Sequence, residues 1–205
     1  MDELLASYTL KKDAIRERLK EFKSVINKSE EDVFAELVFC ILTPQSKARM
    51  CGKAVNKLVK NNSIRKSHKE IAKHLRGIVR FHNTKARHII NARDFFLSNG
   101  IKDKLAGNPT EVREWLVKNV YGLGYKEASH FLRNIGLGEN LAILDRHIMK
   151  NLVRYKVIRA IPKSLTRKRY MEIEEEMKRF SKTLGIPVAH LDLLFWSRET
   201  GEIFK

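Results

Sequence analysis

Cysteine is scarce in this chain, which has only Cys40 and Cys51 among 205 residues. Two thiols are too few for a disulfide framework or for a four-thiolate iron–sulfur cluster. No His/Cys spacing typical of a zinc site occurs, so we expect neither a metal nor another cofactor. Cys40 lies in the apolar run Leu-Val-Phe-Cys-Ile-Leu, which predicts a buried packing role.

Long apolar runs are lacking as well. No stretch approaches the ~20 apolar residues of a membrane span. The first residues, Met-Asp-Glu-Leu-Leu-Ala-Ser, do not show the basic-then-apolar order of a signal peptide. We therefore expect a cytoplasmic protein with no membrane partner. Nothing in the sequence indicates an oligomer, so a monomer is the expectation.

Acidic residues are outnumbered, with 24 Asp and Glu against 41 Lys and Arg, for a net charge of +17. Such an excess favours an anionic partner, and nucleic acid, which releases counterions on binding, is the commonest one. A generally solvated basic surface is the alternative. A hydrophobic content of 43% suffices for a sizeable core, and the length fits one domain or two small subdomains.

No stretch shows β-branched residues in an alternation long enough to predict a strand, whereas helical periodicity recurs along the chain. Helix starts are marked by capping boxes at 29–32 and 67–70, and by an N-cap followed by proline at 108–109. After Phe81 we expect a helix with Lys85, Arg87, His88 and Arg93 on its polar side. We predict an all-α protein, with helices near 1–25, 33–42, up to 60, 67–77, after 82, 109–120, from 125, 146–155, 164–184 and 188–199.

A glycine turn separates two of the predicted helices, with Gly122 and Gly124 on either side of Leu123. Glycine permits positive φ and close approach of another backbone. The unpaired N–H groups and the dipole at the start of the next helix can hold a phosphate. A simple helical hairpin with a glycine C-cap is the alternative. The basic composition favours phosphate binding by this turn.

Lys126 and Asp145 are the candidate reactive pair. Lys126 starts the helix after the turn, where its charge opposes the helix dipole, and this favours the neutral, nucleophilic amine. Asp145 follows an apolar run, Leu-Ala-Ile-Leu, where a carboxylate stabilises a developing cation or deprotonates a nucleophile. The alternatives are a solvated surface lysine and an N-cap for the helix that begins at Arg146.

The hairpin and these two residues carry a family resemblance. Gly122-Leu-Gly-Tyr-Lys126 followed by Asp145 resembles the helix–hairpin–helix superfamily of DNA glycosylases, and the run 121–147 is similar to the type-2 8-oxoguanine DNA glycosylases. Supporting matches are Arg80-Phe81 with Lys85-Ala86, Leu191–Trp196 and the terminal Lys205. The resemblance implies one unit over 1–205, built of two helical subdomains that flank a cleft, with the hairpin motif at about 109–136.

The resemblance also implies an activity in base excision DNA repair. Lys126 would attack C1′ of an 8-oxoguanine nucleotide in double-stranded DNA and expel the base. The product becomes a Schiff base, and β-elimination then nicks the strand, so the enzyme is both a glycosylase and an abasic-site lyase. Asp145 would activate the lysine and stabilise oxocarbenium character. The reaction requires the base to leave the stack.

By the same resemblance, further residues contact the base and the DNA. Phe81 and Trp196 would stack on the base, although either aromatic ring in the core is the alternative. The carboxylate of Lys205 would accept a hydrogen bond from N7–H, which guanine lacks. Gln45 would fill the gap in the duplex, with helix-end capping as its alternative. His130 and His147 are interpreted as structural residues or phosphate contacts. The DNA-binding candidates are therefore Gln45, Gly122, Gly124 and His147.

Two other functions remain open at this stage. A non-catalytic helix–hairpin–helix module that binds the DNA backbone needs the glycines but neither Lys126 nor Asp145. A glycosylase for a different damaged base would share the nucleophile and differ in the base pocket. Many pyrimidine-specific members of the superfamily carry a four-cysteine iron–sulfur cluster, which two cysteines cannot form. This weakens the oxidised-pyrimidine alternative.

Overall fold

The computed structural model describes residues 1–97 and 100–204, and its regular structure is helical. Within those residues there is no strand, which confirms the predicted all-α class. None of the helices described is long and apolar enough to cross a membrane. The eleven α-helices of this part of the chain are α1 Asp2–Val25, α2 Glu30–Leu42, α3 Ala48–Lys60, α4 His68–Leu75, α5 His82–Leu97, α6 Ile101–Leu105, α7 Pro109–Asn119, α8 Tyr125–Asn134, α9 Arg146–Arg154, α10 Arg167–Leu184 and α11 Val188–Thr200.

The predicted helix starts are confirmed at atomic level. Ser29 Oγ accepts from the Asp32 amide at 3.1 Å, and Ser67 forms its capping box with Glu70. Asn108 Oδ1 accepts from the amide of Thr110 at 2.9 Å, directly before the first-turn proline. The prediction missed α6 and a 3₁₀ turn at Ser63–Arg65, because elements of five and three residues are too short to display a helical period.

The chain divides into two compact units. The first, here called the central unit, is Val25–Phe131. The second, here called the terminal unit, combines Met1–Ser24 with Leu132–Lys205. Each unit therefore has its own core, and the cleft that the family resemblance implies stays a prediction.

The core of the central unit is built around α2, which packs against α3 and α5. Eight of its 13 residues are buried, as the apolar surface on nearly every side of this helix predicted. The basic α3 covers it with one apolar stripe that includes Cys51 and Leu58, both fully buried, and exposes lysines on its other side. Burial of α2 fixes the position of its last residues, from which the loop at 43–47 departs.

The core of the terminal unit is built around α11, which packs against α9 and α10. Eight of its 13 residues are buried. The ring of Phe195 stacks on Tyr155, with centroids 5.6 Å apart and an interplanar angle of 8°. Burial of α11 leaves Trp196 partly exposed at the edge of this core.

The predicted polar side of α5 is wrong at Lys85. Arg87 is exposed and His88 partly exposed, but Lys85 has only 4% of its surface exposed. The ammonium is buried because each of its three donors finds an oxygen acceptor, which offsets the loss of hydration. Charge alone placed Lys85 with the solvent-facing residues, although its spacing of four from the buried Ile89 puts it on the apolar stripe.

Candidate active site

The glycine turn joins α7 to α8 in the central unit. Gly122 has φ +88°, in the region that favours glycine. A Cβ at this position would lie 2.3 Å from Nδ1 of His88, so a side chain does not fit there without moving the imidazole. Leu123 is buried and anchors the turn to the core. Gly122 is thus required both by the backbone conformation and by the approach of His88.

Gly124 differs from Gly122, because its φ is not positive. Its amide donates to Glu127 Oε2 at 3.2 Å, so the carboxylate caps the first turn of α8. A Cβ on Gly124 would meet only this flexible carboxylate, at 3.2 Å. A phosphate that bonds the Gly124 amide must therefore displace the carboxylate of Glu127.

Lys126 lies in the first turn of α8, with 23% of its side chain exposed. Its Nζ is 2.8 Å from Glu127 Oε1 and donates to Thr43 Oγ1 at 3.3 Å. Thr43 is the C-cap of α2, so the amine is held between the start of one helix and the end of another. This placement differs from that of a fully solvated surface lysine.

The loop at 43–47, which links α2 to α3, carries Gln45. Gln45 is exposed and has φ +54°, an uncommon conformation for a residue other than glycine. Thr43 rather than Gln45 caps α2, with its hydroxyl donating to Cys40 O at 2.9 Å. Helix-end capping, the alternative role considered for Gln45, thus belongs to Thr43.

Phe81 precedes α5 and also has a left-handed backbone, with φ +57°. Its ring is 54% exposed, which rules out the core role considered for it. The guanidinium of Arg80 lies 5.4 Å from the ring centroid. An exposed aromatic ring on a strained backbone points to a functional position. Among the described residues other than glycine, positive φ occurs at Gln45, Asn62, Phe81 and Lys156.

The ammonium of Lys85 connects these two loops. It donates to Leu42 O at 2.7 Å, to Pro44 O at 2.8 Å and to Ser46 Oγ at 2.8 Å. Ser46 Oγ also accepts from the amide of Arg80 at 3.1 Å. Burial lowers the pKa of Lys85, as do the charges of Lys126 and Arg80, while Cys51 opposes the shift. Sequence reasoning missed this role, since the bonds join residues far apart in the chain.

In the terminal unit, Asp145 is the N-cap of α9, which was the alternative role considered for it. Its Oδ1 accepts from the amides of His147 and Ile148, each at 2.8 Å. Both bonds use Oδ1, so Oδ2 is the oxygen that remains for another partner. The carboxylate is therefore oriented by the helix that it caps.

The segment 141–144 leads into Asp145 and is buried without being helical. Side chains of α10 bond its backbone: the Tyr170 hydroxyl donates to Ala142 O at 2.7 Å and accepts from the Leu144 amide at 3.3 Å. Glu174 Oε2 accepts from the Ala142 amide at 2.8 Å. These bonds satisfy backbone groups of a buried segment that forms no helix, and they fix the approach of the chain to the cap.

Asp192 of α11 is a second carboxylate of the terminal unit and is buried, with Oδ2 3.6 Å from Arg133 Nη1. Burial raises the pKa of Asp192 to about 7, against the opposing effect of Arg133, and the charge of Asp145 raises it further. Sequence reasoning gave Asp192 no role. Its acidic side chain within an apolar run is the signal that marks it as a buried, paired group.

Trp196, at the end of α11, lies among other rings. Its ring centroid is 6.4 Å from that of His147, at an interplanar angle of 78°. Phe204 approaches Trp196 with centroids 6.3 Å apart and a 37° tilt. The carbonyl of Phe204 accepts from Arg18 Nε at 2.7 Å. Trp196 is partly exposed rather than a core residue, and Lys205, the remaining predicted pocket residue, lies outside the described residues.

The predicted site residues are divided between the two units. Lys126, Gln45 and Phe81 belong to the central unit, whereas Asp145, His147 and Trp196 belong to the terminal unit. His130 is buried, with its ring 5.6 Å from that of Phe39, which fits a structural role. Across residues 1–97 and 100–204 there is no group of three or more His, Cys, Asp or Glu side chains arranged to hold a metal ion.

Comparison of the sequence with known protein families gives one match over most of the chain. A family model described as 8-oxoguanine DNA glycosylase matches residues 15–186. An 8-oxoguanine DNA glycosylase/AP lyase of Fusobacterium nucleatum subsp. nucleatum is 48% identical over 196 residues, covering 93% of this chain and 90% of the relative. The enzyme of the same name from Methanocaldococcus jannaschii is 40% identical over 197 residues, covering 95% and 93%.

Solved structures resemble this one over its whole length. The crystal structure of the 8-oxoguanine DNA glycosylase of Thermotoga maritima superposes with a TM-score of 0.91 and 35% identity, covering 100% of this chain and 97% of that one. The Methanocaldococcus jannaschii 8-oxoguanine glycosylase/lyase in complex with a 15mer DNA containing 8-oxoguanine gives 0.90 and 36%, with both chains fully covered.

Proposed function

Because this chain belongs to the 8-oxoguanine DNA glycosylase family, we propose that it excises 8-oxoguanine from double-stranded DNA and then cleaves the abasic site as a lyase. The observation that carries the proposal is the amine of Lys126. It lies in the first turn of α8, directly after the glycine turn, and is held by Glu127 and Thr43. A module that only binds the DNA backbone needs the turn but not this amine.

The chemistry begins when Lys126 loses a proton and leaves its ion pair with Glu127. The neutral amine attacks C1′ as the glycosidic bond breaks, and the base departs with the bonding electron pair and takes up a proton. Loss of the ring oxygen from C1′ gives the Schiff base. Abstraction of a C2′ proton then expels the 3′ phosphate, and water releases the product and restores the amine.

Asp145 is proposed to support this reaction with its carboxylate. A negative charge near C1′ stabilises the oxocarbenium character of the transition state, and a carboxylate also accepts the proton that the amine gives up. The cap bonds to Oδ1 hold the group in one orientation, with Oδ2 available. Orientation by a helix start costs no rearrangement when the substrate binds.

Recognition of the base and the strand is assigned to other residues. Phe81 and Trp196 are proposed to stack on the extruded base, which is supported by the exposure of Phe81 and the partial exposure of Trp196. The carboxylate of Lys205 is proposed to accept from N7–H of the oxidised base. Gln45 would occupy the vacated place in the duplex, and the proposed phosphate contacts are Gly122, Gly124 and His147.

The test is strand nicking and borohydride trapping on duplexes that contain 8-oxoguanine, thymine glycol, uracil or an abasic site. We expect nicking and a trapped covalent complex with 8-oxoguanine DNA. Lys126→Gln is expected to abolish both while DNA binding survives, and Lys118→Gln, an exposed lysine of α7, serves as the matched control. Trapping by the Lys126→Gln protein would refute the assignment of the nucleophile. Activity on the abasic site alone would leave a lyase without an assigned base.

The base-reading role of the chain end has its own test. Deletion of Lys205 is expected to reduce selectivity for 8-oxoguanine over guanine, because the acceptor for N7–H is lost. Abasic-site cleavage by the same protein is the internal control, since that substrate has no base to read. Unchanged selectivity would refute the role proposed for the terminal carboxylate.

The proposal also covers where and in what form the protein acts. A chain with a net charge of +17 is suited to bind DNA, and we propose that it does so as a monomer, on the nucleoid in the cytoplasm. Light scattering of the protein alone and bound to a short duplex measures the stoichiometry. A dimeric mass in either state would contradict the monomer.

A further inference from the structure

Lys85 is buried, yet its ammonium touches none of the groups assigned to the chemistry. Its three N–H donors end on Leu42 O, Pro44 O and Ser46 Oγ, at 2.7, 2.8 and 2.8 Å. An ammonium has three donors, so the group is fully used. Leu42 is the last residue of α2, and the other two acceptors belong to the loop at 43–47. The ammonium therefore binds only the end of α2 and this loop.

The loop at 43–47 carries Gln45 between two of those acceptors. Pro44 and Ser46 flank Gln45 in sequence, and both are bonded by Lys85. Gln45 itself has φ +54°. A residue other than glycine keeps this conformation only when its surroundings offset the cost. The bonds on either side of Gln45 supply that offset.

The same ammonium is linked to Phe81. Ser46 Oγ, which accepts from Lys85, also accepts from the amide of Arg80 at 3.1 Å. The amide of Lys85 donates to Phe81 O at 2.9 Å. Phe81, with φ +57°, is therefore bracketed by bonds from this network on both sides. Gln45 and Phe81, 36 positions apart, are thus linked through Ser46 Oγ, which accepts from both the Lys85 ammonium and the Arg80 amide.

A charged side chain at this position is expensive, so filling space does not explain it. Burial of an ammonium carries a large desolvation cost, whereas an apolar side chain of similar length would fill the same volume without it. Desolvation is the main reason that the pKa of Lys85 is lowered. What the amine provides, and an apolar chain does not, is three directed bonds, to Leu42 O, Pro44 O and Ser46 Oγ.

We propose that Lys85 is a positioning residue for base excision, which holds the Gln45 loop and Phe81 in the conformation that receives the extruded base and fills its vacated place. The inference rests on the proposed function, since it presumes an excised base. Lys85 acts through these two residues and does not itself touch the substrate.

Comparing the rates of base excision and of abasic-site cleavage distinguishes this positioning role from a general structural role. Excision of 8-oxoguanine requires an extruded base and its stacking partner, whereas cleavage of a preformed abasic site requires neither. Lys85→Met keeps the length of the side chain and removes its donors. We expect the ratio of single-turnover excision to abasic-site cleavage to fall on the order of tenfold, because small displacements of positioning groups reduce rates by such factors.

A collapse of the whole loop would give a different result. Thr43 in this loop accepts from Lys126, so general disorder would lower excision and abasic-site cleavage together. Ile89→Val is the matched control, because it shortens a fully buried side chain one turn later on α5. This variant is expected to lose stability and keep the ratio of the two rates.

Ser46→Ala is the second variant, for use if Lys85→Met does not fold. It removes the acceptor shared by Lys85 and Arg80 and leaves the ammonium two bonds. We expect the ratio to fall about threefold to tenfold. A 2-aminopurine placed beside the lesion, which brightens when bases unstack, is expected to give a smaller fluorescence rise with both variants than with the unaltered protein.

Each outcome bears on one proposal. An unchanged ratio in Lys85→Met, or in Ser46→Ala when the first variant does not fold, overturns the positioning role. Equal losses of both rates overturn it as well, because they indicate a structural role only. If the unaltered protein does not release 8-oxoguanine at all, the proposed function fails, and the ratio is then not defined.

Discussion

The central unit and the terminal unit hold their candidate residues by different means. In the central unit, Gln45 and Phe81 have left-handed backbones secured by a buried ammonium, and Lys126 follows a turn that requires Gly122. In the terminal unit, Asp145 is oriented by the helix that it caps, and Trp196 contacts the rings of His147 and Phe204. One unit relies on strained backbone and the other on regular structure and ring contacts.

This difference predicts where each unit is sensitive to substitution. A strained loop has few conformations that satisfy its bonds, so small changes displace the groups that it carries. A helix cap tolerates any residue that offers the same acceptor, and ring contacts adapt by small shifts. Substitutions that disturb the strained loops of the central unit should therefore displace the groups that these loops carry, while substitutions at the helix cap or the ring contacts of the terminal unit should have more local effects.

Among the substitutions that test this difference, the largest effect is expected at Asp145, where cap and charge are separable. Asp145→Asn keeps an acceptor for the amides of His147 and Ile148 and removes the charge, so stability should change little. The single-turnover excision rate should fall on the order of 10²-fold or more, as for loss of an acid–base group. Asp145→Ala should in addition lose about 1 kcal/mol of unfolding free energy. Full excision by Asp145→Asn would show that only the cap matters.

The two glycines of the turn form a matched pair. Gly122→Ala places a Cβ 2.3 Å from His88 Nδ1 on a backbone with φ +88°, and we expect a loss of about 2 kcal/mol in urea unfolding with weaker DNA binding. Gly124→Ala meets only the flexible carboxylate of Glu127. Its loss should stay within about 1 kcal/mol. Equal losses at the two positions would show that the backbone of Gly122 is not strained.

A smaller effect is expected from Arg18, which bonds the carbonyl next to the chain end. Arg18→Met removes the bond to Phe204 O at 2.7 Å while keeping apolar bulk over the ring of Phe22. We expect a few-fold loss of selectivity for 8-oxoguanine over guanine, consistent with the ~1 kcal/mol typical of one hydrogen bond. Arg16→Met is the control, because Arg16 is exposed and pairs with the exposed Asp13. Equal selectivity in the two variants would exclude anchoring by Arg18.

The smallest effect concerns two histidines, one in each unit. Burial lowers the pKa of His88 and of His190, with Arg87 and Arg16 respectively adding to the shift. Below the unfolded value near 6.5 the unfolded chain binds more protons than the folded one, so stability falls as pH drops through this window. His88→Gln and His190→Gln should each slightly flatten the dependence of the melting temperature on pH between pH 7 and pH 5, because solvent screens these partly exposed imidazoles. An unchanged pH profile in either variant would contradict the shift at that residue.

Local signals made part of this structure predictable. Three features are each determined by about five consecutive residues: the capping box at Ser67, the N-cap at Asn108 and the glycine turn before Lys126. The structure has all three at the predicted positions. A cap depends on side chains three residues apart, and a turn depends on the φ that one residue permits. The N-cap role of Asp145 was predictable for the same reason.

Other features required tertiary structure. Lys85 meets Leu42 across 43 positions, and Tyr170 meets Ala142 across 28. The left-handed backbones of Gln45 and Phe81 leave no local trace, because glutamine and phenylalanine do not favour positive φ. Such conformations come from bonds made by distant residues. The side chains that hold the loops in place through long-range bonds are thus the hardest to identify from a single sequence.

The two buried thiols have a consequence for a protein proposed to repair oxidised guanine. Cys40 and Cys51 form no disulfide, and both are fully buried. Burial raises the pKa of Cys51 to about 11, so the thiolate is a very minor species at pH 7. Because peroxides react with thiolates, the oxidants that damage the substrate have almost no sulfur nucleophile to attack at this site. Burial thus keeps the Cys51 thiol in the protonated form, which reacts slowly with peroxides.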